Sequence, residues 1–184
     1  ELRKCMPLSP QFDGMSLCPA WACEIVAGKT VKQIHTMAYL VARKSCLRSR
    51  DARKIAAFDQ WSDLRDRNFG NVIASSKGGY VAIDHETLLH DLLWIPAGRT
   101  YTEWSLLNEA KLALDASEVK KFHVDMAHAA KGHAQALQDA KADLADIIER
   151  LIPSTAQAMT QTIEHMLDQR SQPDWLSNRL GVIA

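Results

Sequence analysis

The sequence predicts a mainly α-helical domain built around one small β-hairpin. Apolar residues recur at helical spacing over most of the chain, a single pair of short apolar runs flanks a Lys-Gly-Gly turn, and no internal repeat is visible. With 184 residues, 47% hydrophobic and 24% charged, the chain can bury a core without staples, so 1–184 reads as one domain.

Residues 1–20 read as an irregular segment, punctuated by Pro7, Pro10, Gly14 and Pro19. Pro19 opens a short helix to Ala27, and Gly28 ends it. Thr30 to Cys46 reads as a helix with Val31, Ile34, Met37, Ala38, Val41 and Ala42 on one face. Ser49 to Leu64 is a second helix containing Phe58, Asp59 and Trp61. Asp66-Arg67-Asn68-Phe69-Gly70-Asn71 is a loop, since Asn and Gly favour turns. The hairpin pairs the run at Val72-Ile73 with Tyr80–Ile83 across Lys77-Gly78-Gly79.

The remainder, 102–184, is helical. Thr102 with Glu103 opens a helix to Ala113, and Ser117 with Glu118 opens a long one that Pro153 closes. Gly132 costs that helix about 1 kcal/mol relative to Ala, which marks a break point. Ser154 caps a helix to Gln169, and Gln172 to Leu180 ends at Gly181.

Composition narrows the function. Lys plus Arg and Asp plus Glu number 22 each, so no net charge draws the chain to nucleic acid or anionic lipid; nucleic acid is not an expected partner. No apolar run reaches the ~20 residues of a membrane span, and no signal peptide is visible, so a cytoplasmic location is expected. Cys5, Cys18, Cys23 and Cys46 form no C-x-x-C pair and read as free thiols. His123, His128 and His133, spaced by five, turn about 140° per step on a helix and share no face for a metal. Trp61, Trp94 and Trp104 read as core residues, Trp175 as a pin for the last helix, and His90 with Asp91 as a pair near the site or on the surface. The basic run Arg43, Lys44, Arg48, Arg50, Arg53, Lys54 reads as a solvated helix face.

Three polar positions carry chemistry. Asp66 and Asn71 lie five apart in a polar loop, and Asp84 ends an apolar strand that the hairpin folds back toward Asn71. Mg²⁺ takes oxygen ligands and keeps several waters, so one carboxylate and one amide oxygen suffice to hold it. A second carboxylate can orient or deprotonate a hydroxyl. The D-x-x-x-x-N spacing followed by a strand-end Asp is that of a phosphoryl-transfer loop.

The run FDQWSDLRDRNFGNVIASSKGGYVAIDHE resembles the core of HipA-like kinases, relatives of the phosphatidylinositol 3- and 4-kinases, over about thirty residues. The resemblance implies a kinase-like C-terminal lobe, with the catalytic loop and metal hairpin in 61–86. It implies Asp66 as catalytic base, Asn71 and Asp84 as magnesium ligands, Arg67 and Asn68 as loop-shaping residues, and Asn68 and His85 as cofactor-binding residues, His85 helping to order the metal site. Mg²⁺ and ATP are the implied cofactors. A protein Ser/Thr hydroxyl is the implied acceptor, and a toxin–antitoxin or regulatory role follows by analogy.

The 65 residues before Asp66 read as coil and helix, and Lys29 and Lys32 in AGKTVKQ do not make a G-x-x-x-x-G-K-[ST] loop. An ATP-gripping lobe is therefore expected from a separate segment or a partner chain. The alternative is a pseudokinase: a catalytically inactive, kinase-like interaction protein that binds a protein partner or forms an oligomer, with the helices from Ser117 to Arg170 as its platform.

Overall fold

The computed structural model describes residues 26–34, 36–96, 98 and 103–183. The segment 1–20, most of the Pro19–Ala27 helix, Cys5, Cys18, Cys23 and the helix-opening Thr102 lie outside the described residues.

Helices dominate, as the periodicity predicts, but the β element is larger than a hairpin. Strands β1 (Gly28–Thr30), β2 (Val72–Ser75) and β3 (Tyr80–Ala82) form an antiparallel sheet in the order β1-β2-β3. The hairpin register pairs Val72 with Ala82 and Ala74 with Tyr80. Gly28, expected to end a helix, instead starts β1, where a Cβ would come within 2.2 Å of the Ala74 carbonyl oxygen. The glycine is there to let two backbones approach.

Thr30 likewise opens no long helix. Its hydroxyl accepts from Gln33 N at 3.3 Å and the Gln33 side chain accepts from Thr30 N at 3.0 Å, closing a capping box around a single 3₁₀ turn, Val31–Gln33. Helix α1 (Thr36–Arg48) starts only after that turn, which resets the phase of its apolar stripe. Its inner face is therefore Tyr39, Ala42, Cys46 and Leu47, whereas Val41, expected inside, is 71% exposed.

Helix α2 (Arg50–Trp61) follows almost at once. Ser49 caps it by accepting from Ala52 N at 3.1 Å. Asp51 then reaches across to accept from Tyr80 N at 3.0 Å, docking the hairpin on the first turn of α2. Ala52, Ala56, Ala57 and Trp61 bury its inner face.

Downstream come α3 (Leu106–Ala113), α4 (Ala116–Ala130), α5 (His133–Leu151), α6 (Ala156–Arg170) and α7 (Trp175–Leu180). The caps differ from the expected ones by a residue or more. Ser105, not Thr102 or Glu103, caps α3 by accepting from Asn108 N at 3.1 Å. Asp115 forms the capping box with Glu118 that opens α4. The long helix from Ser117 breaks at Lys131-Gly132, where the cost of Gly pointed. Helix α6 starts at Ala156 without a side-chain cap, and Gly181, in the left-handed region at φ 65°, ends α7.

The core has two parts. The larger joins α1, α2, α3, α4 and α7 through residues such as Leu47, Leu106, Phe122, Met126 and Leu176, with Val31, Phe69 and Val72 from the sheet side. The smaller lies between α5 and α6 and closes on Trp61. Trp61 joins them: its indole N–H donates to Leu167 O at 3.0 Å and Ser171 Oγ at 2.8 Å. Trp175 sits between Arg170 and Arg179, whose guanidinium carbons lie 5.6 and 5.7 Å from the ring centre, a pin of the expected kind.

The three histidines occupy separate environments. His133 stacks on Trp61 with ring centres 4.8 Å apart and 27° between planes. Its Nδ1 is buried without a partner among the described residues, and burial pushes the imidazole down from 6.5 to about 4. The unfolded chain therefore binds more protons than the folded one between those values. The stabilising contribution is complete above about 6.5 and is lost as pH falls toward 4. His133→Phe keeps the stack and removes the proton. Urea denaturation at pH 7 and pH 4.5 should show the substituted protein losing up to about 2 kcal/mol less than the parent over that interval, after discounting for partial exposure of the ring.

Candidate functional site

The site begins where α2 ends. Ser62 closes the helix and Asp63 turns the chain at φ 54°. The Asp63 carboxylate accepts from Asp91 N at 2.7 Å and Arg65 Nε at 3.1 Å, while Arg65 also grips both oxygens of Asp91 at 2.9 and 3.0 Å. His90 Nδ1 lies 3.4 Å from Asp91 Oδ1, within a π-helical turn over His90–Trp94. Asp91 thus braces the segment leading into the loop.

Asp66 is held from both sides of its own peptide units. Arg67 N donates to Trp104 O and Trp104 N donates to Arg65 O, each at 2.9 Å, making an isolated parallel bridge between residues 66 and 104. Trp104, expected in the core, is 47% exposed: its backbone carries the structural contact and its indole is left at the surface.

The loop then closes on itself. Asn68 Oδ1 accepts from Gly70 N at 2.7 Å, capping a 3₁₀ turn over Phe69–Asn71. Asn68 Nδ2 donates to Asp66 Oδ1 at 2.9 Å, so one carboxylate oxygen is engaged, while Oδ2 takes no hydrogen bond among the described residues. Asn71 Nδ2 donates to Asp66 O at 2.9 Å, which turns the carboxamide so that Oδ1 is the atom available to a cation. The stem of Lys32 lies against this turn, its Cδ 3.7 Å from where a Gly70 side chain would begin.

Arg67 ties loop and hairpin together. Its side chain is wholly buried. Nη2 donates to Asp59 Oδ1 at 3.0 Å and Nε to Asp59 Oδ2 at 3.1 Å, while Nη1 donates to the carbonyls of Asn71 (3.3 Å) and Ile83. Ile83 N donates back to Asn71 O at 3.0 Å. Asp59, only 2% exposed, is the buried counter-ion. Burial raises its carboxyl, the Arg67 hydrogen bonds and charge oppose the rise, and the balance stands at about 6 against an ordinary 3.8.

Asp84 follows directly, exposed and at φ 59°. The left-handed region is costly for a residue with a side chain, about 1–3 kcal/mol in sites where surroundings impose it, although Asp tolerates it better than most. The backbone of Asp84 therefore leaves the sheet beside Asn71. His85 sets its ring edge-on to Phe58, centroids 5.9 Å apart. Partial burial and then the Arg67 charge push its imidazole below the ordinary histidine range, with the Asp84 carboxylate opposing them.

The backbones of Asp66, Asn71 and Asp84 are brought together through Arg67, and Asn68 and His85 lie on the same short loop and strand end. Among the described residues no group of three or more His, Cys, Asp and Glu forms a metal cluster. The set here is two carboxylates and an amide oxygen, which suits a hydrated Mg²⁺ rather than a fully protein-ligated ion. Sequence reasoning missed two contributors. Asp59 had a visible signal: it falls at i+7 from Ala52 and i+3 from Ala56, an acid on the apolar face of α2. Trp104 had none, because its role is carried by backbone atoms.

No protein-family model, no curated protein and no solved structure matches the chain.

Proposed function

We propose that this chain is a HipA-like kinase domain, equivalent to a kinase C-terminal lobe, that transfers the γ-phosphoryl of ATP to a hydroxyl of a protein Ser or Thr. The observation that carries the reading is the buried Arg67 guanidinium, which binds the carbonyls of Asn71 and Ile83 at once. It ties the backbone of the loop at Asn71 to the end of the strand at Ile83, one residue before Asp84, which supports a metal-assisted phosphoryl-transfer reading.

In this reading Asn71 Oδ1 and the Asp84 carboxylate would hold Mg²⁺, which when bound neutralises charge on the nucleotide phosphates. Asp66 Oδ2 takes the proton of the acceptor hydroxyl as its oxygen bonds to the γ-phosphorus. The bond from that phosphorus to the bridging oxygen breaks, and ADP leaves with the electron pair. Asn68 keeps the base oriented through Oδ1. His85, which follows Asp84, would help order the metal site, and Lys32, whose stem lies against the Phe69–Asn71 turn, would be the nearby cation for the phosphates. A protein acceptor is favoured over a lipid because no helix among the described residues is long and apolar enough to cross a membrane and the chain has no net positive charge.

Calorimetry with Mg-ATP tests this. The parent protein should bind, and Asp84→Ala should weaken binding by about tenfold or more, the scale of one lost charged contact. Absence of binding in the parent would remove the reading.

One observation favours a second reading, a kinase-like interaction protein without catalysis. Leu40 and Val41, adjacent on α1, are 64% and 71% exposed. Side-by-side apolar residues of that exposure suit contact with a protein partner. This reading predicts no Mg-ATP heat at all.

A further inference from the structure

The basic run between Arg43 and Lys54 does not act as one solvated face. Arg43, Arg48 and Arg53 are spent on ion pairs to Glu109, Glu118 and Asp125, at 2.5, 2.7 and 2.7 Å, that tie α1 and α2 to α3 and α4. Arg50 and Lys54, one turn apart on α2, have no acidic partner among the described residues. They face Lys121, likewise without one, and His128, both on α4, across a groove of about 350 Å³.

Arg53 and Asp125 lie within that groove as a pair, and Arg53 Nε is buried with no acceptor among the described residues. Four cations against one carboxylate leave a local charge of +3 before His128 is counted, in a chain whose total is zero. The positive end of α2 adds to it. Asp51, the acid of that first turn, keeps its charge but does not line the groove; its carboxylate turns to the hairpin, where it accepts from Tyr80 N.

We infer that the groove between α2 and α4 binds a phosphomonoester dianion carried on a phosphorylated Ser or Thr side chain. Charges drawn from two helix faces around one small recess suit a single dianion held by several charge-assisted hydrogen bonds. A nucleic-acid strand needs a continuous basic track, and here Asp125 sits in the middle of the cations and the whole chain is neutral. The groove is separate from the Asp66 loop. Arg50 and Asp59 are nine residues apart on α2, about 14 Å along a helix, and it is Asp59 that contacts Arg67. The inference stands whether or not phosphoryl transfer occurs at Asp66.

The test uses the full chain, isotope-labelled, titrated with N-acetyl-phosphoserine amide and followed by amide chemical shifts. Shifts should concentrate on residues 50–54 and 121–129. Arg50→Gln combined with Lys121→Gln should weaken binding about tenfold or more, and Lys54→Gln alone should weaken it to a smaller degree. These side chains are exposed, so the substituted proteins should keep the parent circular dichroism spectrum. N-acetylserine amide producing the same shifts would overturn the inference. So would phosphoserine binding that all three substitutions leave unchanged, or a poly-dT strand that binds more tightly and shifts amides well beyond the groove.

Discussion

Arg67→Met is expected to cost about 3–5 kcal/mol of folding stability, a large part of the roughly 5–15 kcal/mol that a domain has. The substitution fills most of the volume but leaves the Asp59 carboxyl buried with no counter-charge and removes the donor shared by Asn71 O and Ile83 O. Its pH dependence has a definite sign. Burial, opposed by Arg67, already leaves Asp59 at about 6 against an ordinary 3.8, and loss of Arg67 raises it further. The folded state then binds the extra proton, so the variant is least handicapped below about pH 4 and loses stability as pH rises through the folded pKa. Urea denaturation at pH 5 and pH 7.5 should show the deficit growing toward the higher pH. Asp59→Leu added to Arg67→Met should restore much of the loss, since an apolar pair replaces a stranded charge. A deficit below about 1 kcal/mol at pH 7.5 would mean that Arg67 does not hold the loop to the hairpin.

Asp66→Asn is expected to lower phosphoryl transfer by about 10²–10⁴-fold while Mg-ATP affinity stays close to that of the parent. The carboxamide can still accept from Asn68 Nδ2 through its oxygen, so the loop keeps its shape. What it lacks is a basic Oδ2 to take the acceptor proton. Transfer of labelled γ-phosphate to a Ser/Thr-containing acceptor protein, with calorimetry alongside, separates the two effects. Full activity in the variant would exclude Asp66 as the base, and equal loss of nucleotide binding would make it a ligand-holding residue instead.

The loop, the hairpin and the helix that precedes them were readable from local chemistry. Asn68 and Gly70 make a turn with each other, Ser49 caps the helix it begins, and Lys77-Gly78-Gly79 reverses the chain between two apolar runs. Each is a negotiation among residues a few positions apart. The same locality explains the errors near the start. The sequence around Thr30 suits a helix opening, and a capping box does form there, but it serves a single 3₁₀ turn because Gly28–Thr30 is taken up by β2, more than forty residues downstream. Trp104 reads as a core aromatic by size and composition. Its peptide groups are instead recruited to brace Asp66, which leaves the indole outside.

Residue types, their short-range spacing and the absence of net charge were enough to select a helical chain with one polar loop and hairpin bearing Asp66, Asn71 and Asp84. They could not say that Asp59 neutralises Arg67, that β1 completes the sheet, or which arginines of the basic run stay unpaired. Those outcomes depend on contacts between segments eight to seventy residues apart. Burial and charge pairing belong to the packed molecule: an Asp on an apolar stripe or an Arg in a basic run has no defined environment until another helix or strand arrives beside it.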